Sequence, residues 1–407
     1  MKFGRRTLLQ AALAGSVGTL GKAHASLKKM KITRVRFYEV PDAGPLFNQS
    51  MHIVTVETDA GITGIGEGGH HDTVMQCAGM LIDQDPSRIE HLWQLMFRGY
   101  FYPAGREKLH GLGALDLALW DIKGKALGVP VHQLMGGLSR DYVECYSTGF
   151  PMQGKSVENT ARACIKAGFR AFRTAVTGPS ENWSTFSQQA SVAKTIEHCK
   201  EIRKGVGPSG DWAIDYHTRI DFPDAVRLSK GLEPLEPLFC EDLVRSEAPA
   251  VYKQLRPLVK VPIAVGEQFG ARWDINELVE QHLIDYSRVT IPNVGGITEM
   301  LKLAALCETH YVGLVPHFTG QCSVAALVHV LGCFGGNALM EMGKDGPQAK
   351  PHLIKSCDFK NGKLYPNDRP GLGVEVDLSK LKMTGEVTKA ANDYHVYKRP
   401  DGSFTNW

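Results

Sequence analysis

The sequence predicts an α/β barrel that is preceded by a smaller α+β unit. Eight short apolar segments alternate with helical segments between residues 143 and 341, which is the pattern of a parallel barrel. The length of 407 residues is enough for such a barrel and an added domain. An open doubly wound sheet is the alternative, but no G-x-G-x-x-G turn follows the first strand, which weakens it.

Composition narrows the class of protein. Hydrophobic residues make up 43% and charged residues 22%, which indicates a globular enzyme rather than a disordered, collagenous or coiled-coil chain. The formal net charge is +3, and the first 25 residues hold cations and no acid. Because the remainder is close to neutral, we expect no nucleic-acid partner. The nine cysteines show no C-x-x-C spacing, so we expect buried free thiols.

Residues 1–25 predict a twin-arginine export signal. Arg5 and Arg6 precede an apolar stretch over 8–20, and Ala23-His24-Ala25 places small residues before a cleavage site. That stretch is shorter than the roughly 20 residues that span a bilayer, and no later segment predicts a membrane span. We therefore expect export by the twin-arginine machinery and a periplasmic location, whereas the alternative is a buried first helix.

The α+β unit is predicted over residues 29–135. Segments 31–40, 52–58 and 62–66 have the composition and turn spacing of strands. Helical periodicity follows, most clearly over 109–125, and a Gly-Val-Pro turn ends it.

The barrel is predicted over residues 140–345. Its candidate strands are 143–148, 171–176, 212–216, 237–241, 262–267, 286–291, 312–316 and 338–341. After residue 350 the pattern indicates loops with one strand at 373–377. We expect this last segment, 350–407, to return to the first unit.

Three acids stand at the ends of consecutive predicted strands. Asp215, Glu241 and Glu267 follow one another at equal intervals of about one βα unit, so their carboxylates should meet at one mouth of the barrel. Each follows an apolar run, where an unpaired charge is costly. A hard divalent cation such as Mg²⁺ would resolve their repulsion. The alternative is that each acid caps the helix after it.

Two histidines and a fourth acid share these strand-end positions. His217 lies two residues after Asp215 and therefore faces the same mouth in an extended chain. His317 follows the seventh predicted strand, and Glu341 ends the eighth. Their positions indicate catalytic residues.

The residues around these positions form recognisable motifs. They are Ala114-Leu-Asp-Leu-Ala-Leu-Trp-Asp-Ile-Lys-Gly-Lys125, Ala213-Ile-Asp-Tyr-His217, Phe239-Cys-Glu-Asp242, Val265-Gly-Glu267, Gly295-Gly-Ile-Thr298, Val315-Pro-His317 and Pro370-Gly-Leu-Gly-Val-Glu375. Together they resemble the motifs of the enolase superfamily, in its mandelate racemase-like branch. The resemblance implies a modified TIM barrel of (β/α)7β type with an N-terminal α+β capping domain, and Mg²⁺ held by the three strand-end acids. It also implies a homo-oligomer.

The Asp-x-His motif at the third barrel strand is similar to sugar-acid dehydratases of the galactonate and mannonate types. This resemblance implies that His317 removes the C2 proton of a sugar acid and that His217 protonates the departing 3-hydroxyl. Glu341, if protonated, would donate a hydrogen bond to a carboxylate oxygen, and the product would be a 2-keto-3-deoxy acid. Candidate substrate contacts on loops and strand ends are Arg173, His52 and Tyr102.

The chain departs from the family pattern at two positions. Ala175 stands where racemases of this branch carry a basic lysine, which argues against a two-base racemase of that design. Thr290 stands where many relatives carry the acid that orients the seventh-strand histidine, and its hydroxyl could hydrogen-bond the imidazole without raising its basicity. The alternatives are a sugar-acid epimerase or cycloisomerase through the same enolate, a non-catalytic sugar-acid binder, and a structural barrel with surface acids.

Overall fold

The computed structural model describes residues 27, 29–41, 50–177, 186–318, 320–347, 349–391, 394 and 396–405. The predicted export signal, residues 1–25, lies outside the described residues. In the described part, no helix is both long and apolar enough to cross a bilayer. All nine cysteines are described, and each carries a free thiol that is buried or half-buried.

The first unit, here called the cap, is an antiparallel sheet covered by helices. Its strands in sheet order are β16 (Lys382–Val387), β1 (Ile32–Glu39), β2 (Ile53–Thr58) and β3 (Thr63–Glu67). Its helices are α1 (His71–Ala78), α2 (Ile89–Arg98), α3 (Arg106–Leu127) and α4 (Val131–Leu134).

Two glycines of β3 allow α3 to lie directly on the sheet. A Cβ on Gly64 would come within 2.1 Å of the Ala118 carbonyl oxygen, and one on Gly66 within 1.8 Å of that of Ala114. The helix then ends at Gly128, whose φ of 70° lies in the left-handed region that favours glycine at a helix C-terminus. These glycines explain the Gly-Ile-Gly and Gly-Val-Pro segments of the sequence.

The second unit contains eight parallel strands. They are β4 (Val143–Ser147), β5 (Ala171–Ala175), β6 (Asp211–Asp215), β7 (Phe239–Glu241), β8 (Ile263–Val265), β9 (Tyr286–Ser287), β10 (Gly313–Leu314) and β11 (Met340–Met342). Successive strands pair from β4 to β10, β11 pairs with β4, and Leu339 N donates to Leu314 O at the end of β10. Hydrogen bonds therefore connect the eighth strand to both of its neighbours in a ring.

One α-helix lies between each pair of consecutive barrel strands. These helices are α5 (Val157–Lys166), α6 (Gln188–Val206), α7 (Phe222–Leu232), α8 (Tyr252–Leu255), α9 (Arg272–Glu280), α10 (Ile297–Thr309) and α11 (Gln321–Cys333). Short 3₁₀ turns lie at Glu233–Leu235, Pro249–Val251, Arg256–Leu258 and Leu378–Lys380. The predicted alternation of strands and helices is thus observed.

The ring of strands is filled by its own side chains. Seven inward-facing residues form a separate apolar cluster, and they come from or adjoin seven of the eight strands: Tyr146, Ala171, Ala213, Phe239, Ala264, Val315 and Leu339. Because apolar side chains fill the interior of the ring, the polar residues at the strand ends lie together at one mouth of the barrel.

The C-terminal segment carries more structure than the sequence predicts. One strand was expected at 373–377, but the structure has β12 (Leu353–Lys355), β13 (Asp358–Lys360), β14 (Lys363–Tyr365), β15 (Glu375–Val376) and β16. The expectation of loops is wrong because these strands are short and find partners far away in sequence, such as β4 for β14 and β1 for β16.

Candidate active site

The three predicted acids stand at the ends of neighbouring strands. Asp215 is the last residue of β6 and pairs in register with Glu241, the last residue of β7. Glu267 follows β8 after Gly266, whose φ of 145° is one that side chains rarely adopt. All three carboxylates are buried, with residue exposures of 5%, 0% and 8%.

One group of three closely spaced carboxylates includes a residue that was not predicted. Glu241, Asp242 and Glu267 each present one carboxylate oxygen, and these three oxygens lie within 4.8 Å of one another. Oxygen donors at this spacing fit a hard divalent cation. Asp215 instead accepts a hydrogen bond from His217 N at 2.6 Å and forms an ion pair with Arg173. The assignment of Asp215 as a ligand stays a prediction.

Two arginines lie among the acids. Arg173 Nη1 is 2.9 Å from both Asp215 Oδ2 and Glu241 Oε2, and its Nη2 donates to Thr148 Oγ1 at 2.7 Å. Its Nη2 is also 3.3 Å from Glu341 Oε1. Arg173, predicted as a substrate contact, is thus engaged with the acids of the protein itself.

Arg288 is fully buried at the end of β9. Its Nη2 lies 2.6 Å from Glu341 Oε2 and 3.3 Å from Glu267 Oε2, and its Nε forms an ion pair with Glu241 Oε1. Its Nη1 donates to Tyr146 Oη at 2.7 Å. A buried guanidinium is stable only when paired, and here three carboxylates surround it.

The acids differ in how easily they ionise. Burial, reinforced by the other acids, raises the pKa of Asp215 to about 7 and that of Glu267 to about 8. The same causes raise the pKa of Asp242 well above its usual range. Burial also disfavours ionisation of Glu241, but the arginines outweigh it and lower its pKa.

Glu341 does not have the protonation state that its predicted role required. Burial opposes its ionisation, yet Arg288 and Arg173 outweigh burial and lower its pKa to about 2. An ionised carboxylate has no proton to donate, so Glu341 accepts hydrogen bonds from arginine rather than donating one to a substrate. The condition for the predicted hydrogen bond is therefore not met.

The two predicted histidines approach the same carboxylate. His217 Nε2 lies 3.7 Å from Glu267 Oε1, and His317 Nε2 lies 3.9 Å from Glu267 Oε2. Burial lowers the pKa of His317 to about 4, so its imidazole is neutral near pH 7 and can accept a proton. His217 is half-exposed, and its pKa is lowered mainly by partial burial and then by Arg219.

Thr290 does not orient His317 as the sequence suggested. Its Oγ1 lies 3.5 Å from the carbonyl oxygen of Glu267, while His317 Nδ1 is buried without a hydrogen-bond partner among the described residues. Thr290 and His317 also pair through an isolated parallel backbone bridge. The expected hydrogen bond to the imidazole is thus absent from the described part of the chain.

The structure does not bring the other two predicted substrate contacts into this group. His52 accepts a hydrogen bond from Val40 N at 3.3 Å and packs on Phe37 inside the cap. Tyr102 is 78% exposed and packs edge-on against Phe101.

A cleft of about 300 Å³ opens beside His317, between the cap and the barrel. Its described lining is mostly apolar and includes Val40, Met51, Ile53, Phe318, Met342 and Leu353. The buried carboxylate of Glu67, from the end of β3, also lines it and accepts a hydrogen bond from Ser323 N at 2.8 Å. Burial raises the pKa of Glu67 to about 7 although backbone N–H groups oppose the shift.

Sequence reasoning missed Arg288, Asp242 and Glu67. A signal for Arg288 was available, because an arginine inside an apolar strand is rarely buried without carboxylate partners. Asp242 stands directly after Glu241, and two adjacent acids after an apolar run are equally unusual. Glu67 gave no local signal, since its partner lies 256 residues away.

Comparisons with known proteins show which family the chain matches. Residues 42–136 match the mandelate racemase/muconate lactonizing enzyme N-terminal domain, and residues 156–380 match the enolase C-terminal domain-like family. Curated relatives include the D-galactonate dehydratases of Pectobacterium atrosepticum and Ralstonia pickettii. Each is 34% identical over 93% of this chain and 100% of the relative.

Solved structures confirm the predicted fold. An enolase from Pantoea ananatis with bound D-gluconate and Mg has a TM-score of 0.77 at 26% identity, covering 86% of this chain and 94% of that one. A member of the enolase superfamily from Salmonella Typhimurium has a TM-score of 0.80 at 24% identity, covering 88% and 100%. At that lower identity, the likeness shows the fold alone.

Proposed function

This chain belongs to the mandelate racemase/muconate lactonizing enzyme family of the enolase superfamily, and on that premise we propose that it is a Mg²⁺-dependent sugar-acid dehydratase. The reaction would remove the C2 proton and the 3-hydroxyl of the acid and yield a 2-keto-3-deoxy acid. The observation that carries the proposal is the position of two imidazoles, each within 4 Å of a different oxygen of Glu267.

The donor set suits the cation that the proposal requires. Glu241, Asp242 and Glu267 offer carboxylate oxygens at mutual distances below 4.8 Å, and Asp215 stands next to Glu241 in register. Mg²⁺ prefers such oxygen ligands. When bound, the cation supplies charge stabilisation to the oxyanions that develop as a carbon acid ionises.

The two histidines supply the proton transfers. His317, neutral because its pKa is about 4, accepts the C2 proton at Nε2 as the C2–H bond breaks. Because partial burial and then Arg219 lower the pKa of His217, its imidazole must first take up a proton; it then donates this proton to the 3-hydroxyl, and the C3–O bond breaks with water as the leaving group. The resulting enol takes up a proton at C3 and becomes the 2-ketone. Enzymes of this superfamily are a standard example of a His or Lys base acting with Mg²⁺.

Two further observations favour dehydration over racemisation. Ala175 ends β5 where a second base would stand, and an alanine cannot take up a proton. The relatives at 34% identity are named D-galactonate dehydratases. Hydroxide is a poor leaving group, so the acid at His217 is the group that dehydration needs and racemisation does not.

A turnover screen tests the proposal. The protein with Mg²⁺ is incubated with D-galactonate, D-gluconate and other aldonic, aldaric and uronic acids, and 2-keto-3-deoxy acids are measured. We expect one of them to be dehydrated, with no product in the His217→Asn control. Solvent deuterium at C2 of recovered substrate without any keto acid would replace dehydration with epimerisation or cycloisomerisation. No product and no exchange across the library would contradict the proposal.

A further inference from the structure

We infer that Glu67 of the cap is a positioning residue for the proposed base, because it holds the barrel segment that carries His317. This role rests on the proposed function, in which His317 removes the C2 proton. Three observations support it: how the cap holds Glu67, what Glu67 contacts in the barrel, and what else orients the imidazole of His317.

The first observation is that the cap fixes the position of Glu67. Glu67 ends β3 and pairs in register with Ile53 of β2. The same strand lies directly on α3, because Gly64 and Gly66 carry no Cβ. The residue is 3% exposed. A strand end that is paired with its neighbour and packed on a helix cannot move independently of the cap, so its carboxylate is a fixed point for the barrel.

The second observation is that Glu67 closes the N-terminus of α11. Its Oε2 accepts a hydrogen bond from Ser323 N at 2.8 Å, and backbone groups of Gln321 and Cys322 also hydrogen-bond the carboxylate. The first N–H groups of a helix have no partner within it, so a buried carboxylate satisfies them. A Cβ on Gly320 would lie 1.4 Å from Glu67 Oε1. Since the φ of Gly320 is −99°, which any residue adopts, the carboxylate and not the backbone requires this glycine.

The third observation concerns the segment between β10 and α11, which carries His317. At its start, Val315 N donates to Ser287 O at 2.9 Å, and His317 pairs with Thr290 through a backbone bridge. At its end, Glu67 holds the first turn of α11. Nδ1 of the imidazole is buried without a hydrogen-bond partner among the described residues. The orientation of the ring therefore depends on where the two ends of the segment place its backbone.

A second barrel helix is closed by the cap in the same way and provides a matched control. Asp116 of α3 accepts a hydrogen bond from Thr298 N at 3.0 Å, at the start of α10, and a Cβ on Gly296 would clash with its carboxylate. Asp116 is also fully buried. The segment before α10 carries neither of the two histidines. Asp116→Ala should therefore loosen a helix of the barrel without displacing the proposed base.

The test compares the wild type with Glu67→Ala, Glu67→Gln, Gly320→Ala and the double variant Glu67→Ala/Gly320→Ala. Steady-state kinetics on the substrate that the turnover screen identifies give kcat and KM, and NMR in D₂O gives the rate of deuterium uptake at C2. Hydrogen-exchange mass spectrometry measures amide protection over residues 315–323 and needs no substrate. Asp116→Ala undergoes the same measurements, with residues 290–298 as its segment.

We expect Glu67→Ala to lower kcat and C2 exchange about 10- to 100-fold, with KM changed less than about threefold, because a small misplacement of a reacting group costs that much. Glu67→Gln keeps one acceptor oxygen and should lose less than about fivefold. Protection over residues 315–323 should fall in Glu67→Ala and remain elsewhere. Gly320→Ala should be impaired by itself but should cost little more in the Glu67→Ala background, because its methyl group then occupies the space of the missing carboxylate.

Three outcomes would overturn the inference and leave the dehydratase proposal intact. Unchanged protection over residues 315–323 in Glu67→Ala would show that Glu67 does not hold the segment. Wild-type C2 exchange in that variant would make Glu67 a structural acid only. Equal losses of kcat in Glu67→Ala and Asp116→Ala would attribute the effect to general loosening between cap and barrel. If the wild type neither dehydrates nor exchanges any acid, the proposed function and the inference fail together, and the turnover screen shows this without any variant.

Discussion

Buried acids occur in two regions of this molecule, and their surroundings differ. Between cap and barrel, Asp116 accepts hydrogen bonds from Thr298 N at 3.0 Å and Thr298 Oγ1 at 2.6 Å, and Glu67 accepts from Ser323 N. These donors stand in the first turns of α10 and α11, where unpaired N–H groups and the helix dipole favour a carboxylate.

At the mouth of the barrel, the acids meet other acids. Asp242 and Glu267 are raised in pKa by burial and then mainly by neighbouring carboxylates, with Arg288 opposing. At the interface, by contrast, donors of the backbone and a hydroxyl oppose burial. The comparison teaches that acids with donors join the cap to the barrel, whereas acids that crowd one another form a group that could hold a cation.

The largest expected effect is on turnover. Glu267→Gln should lower the turnover of the substrate that the screen identifies by about 10⁴-fold, since it removes a proposed metal ligand worth several kcal/mol of charge stabilisation. Its melting temperature in EDTA should not fall, because near neutral pH the folded chain must keep Glu267, with its pKa of about 8, largely protonated while the unfolded chain releases that proton, and an amide does not carry this cost. Steady-state kinetics and thermal melts measure both. A lower melting temperature of Glu267→Gln than of the wild type in EDTA would contradict the difference drawn between the acids at the mouth and those at the interface.

Variants of the two histidines should separate removal of the C2 proton from protonation of the 3-hydroxyl. His317→Asn should lower C2 proton exchange by about 10²–10⁴-fold and leave Mg²⁺ affinity unchanged, since the proposed role of the imidazole is that of the base and not of a ligand. His217→Asn should stop dehydration and keep exchange. Deuterium uptake at C2, followed by NMR in D₂O, distinguishes them. Undiminished exchange in His317→Asn would refute its role as the base.

A smaller effect is expected at the interface, in the pH dependence of stability. Glu67 has a pKa of about 7 in the folded chain against 4.5 for an ordinary glutamate. Between these values the folded state keeps a proton that the unfolded state releases, so stability falls as pH rises from about 4.5 to 7. Glu67→Gln cannot titrate and should lack this loss, which we expect to be about 1–3 kcal/mol.

Urea unfolding at pH 4.5 and pH 8 measures this difference. The wild type should lose more stability than Glu67→Gln between the two pH values. Asp116→Asn serves as a second interface variant, because its pKa is also raised to about 7, mainly by burial. If the free energy of unfolding changes equally with pH in the wild type and in Glu67→Gln, the Glu67 carboxylate does not titrate between pH 4.5 and pH 8.

The smallest effect is expected at Thr290. Thr290→Val should change turnover by less than about threefold, or under 1 kcal/mol, because its hydroxyl faces the Glu267 carbonyl rather than His317. Kinetics and the pH profile of kcat/KM measure this. A shift of that profile in the variant would restore the orienting role that the sequence suggested.

Much of the fold could be predicted because it depends on sequence patterns over short segments of the chain. The alternation of strands and helices and the end of α3 depend on residues close together in sequence. The short strands after residue 350 could not be predicted in this way, since a two- or three-residue strand exists only through its partner.

By itself, the sequence determined the β/α order, the strand-end positions of Asp215, Glu241 and Glu267, and the placement of both histidines. Only the tertiary structure decided that Arg173 pairs with Asp215, that Arg288 is surrounded by carboxylates and that Asp242 turns into their cluster. The physical reason is the distance along the chain between the residues that interact. Periodicity fixes which residues end a strand, but which charges meet there depends on packing and electrostatics between segments far apart in the chain.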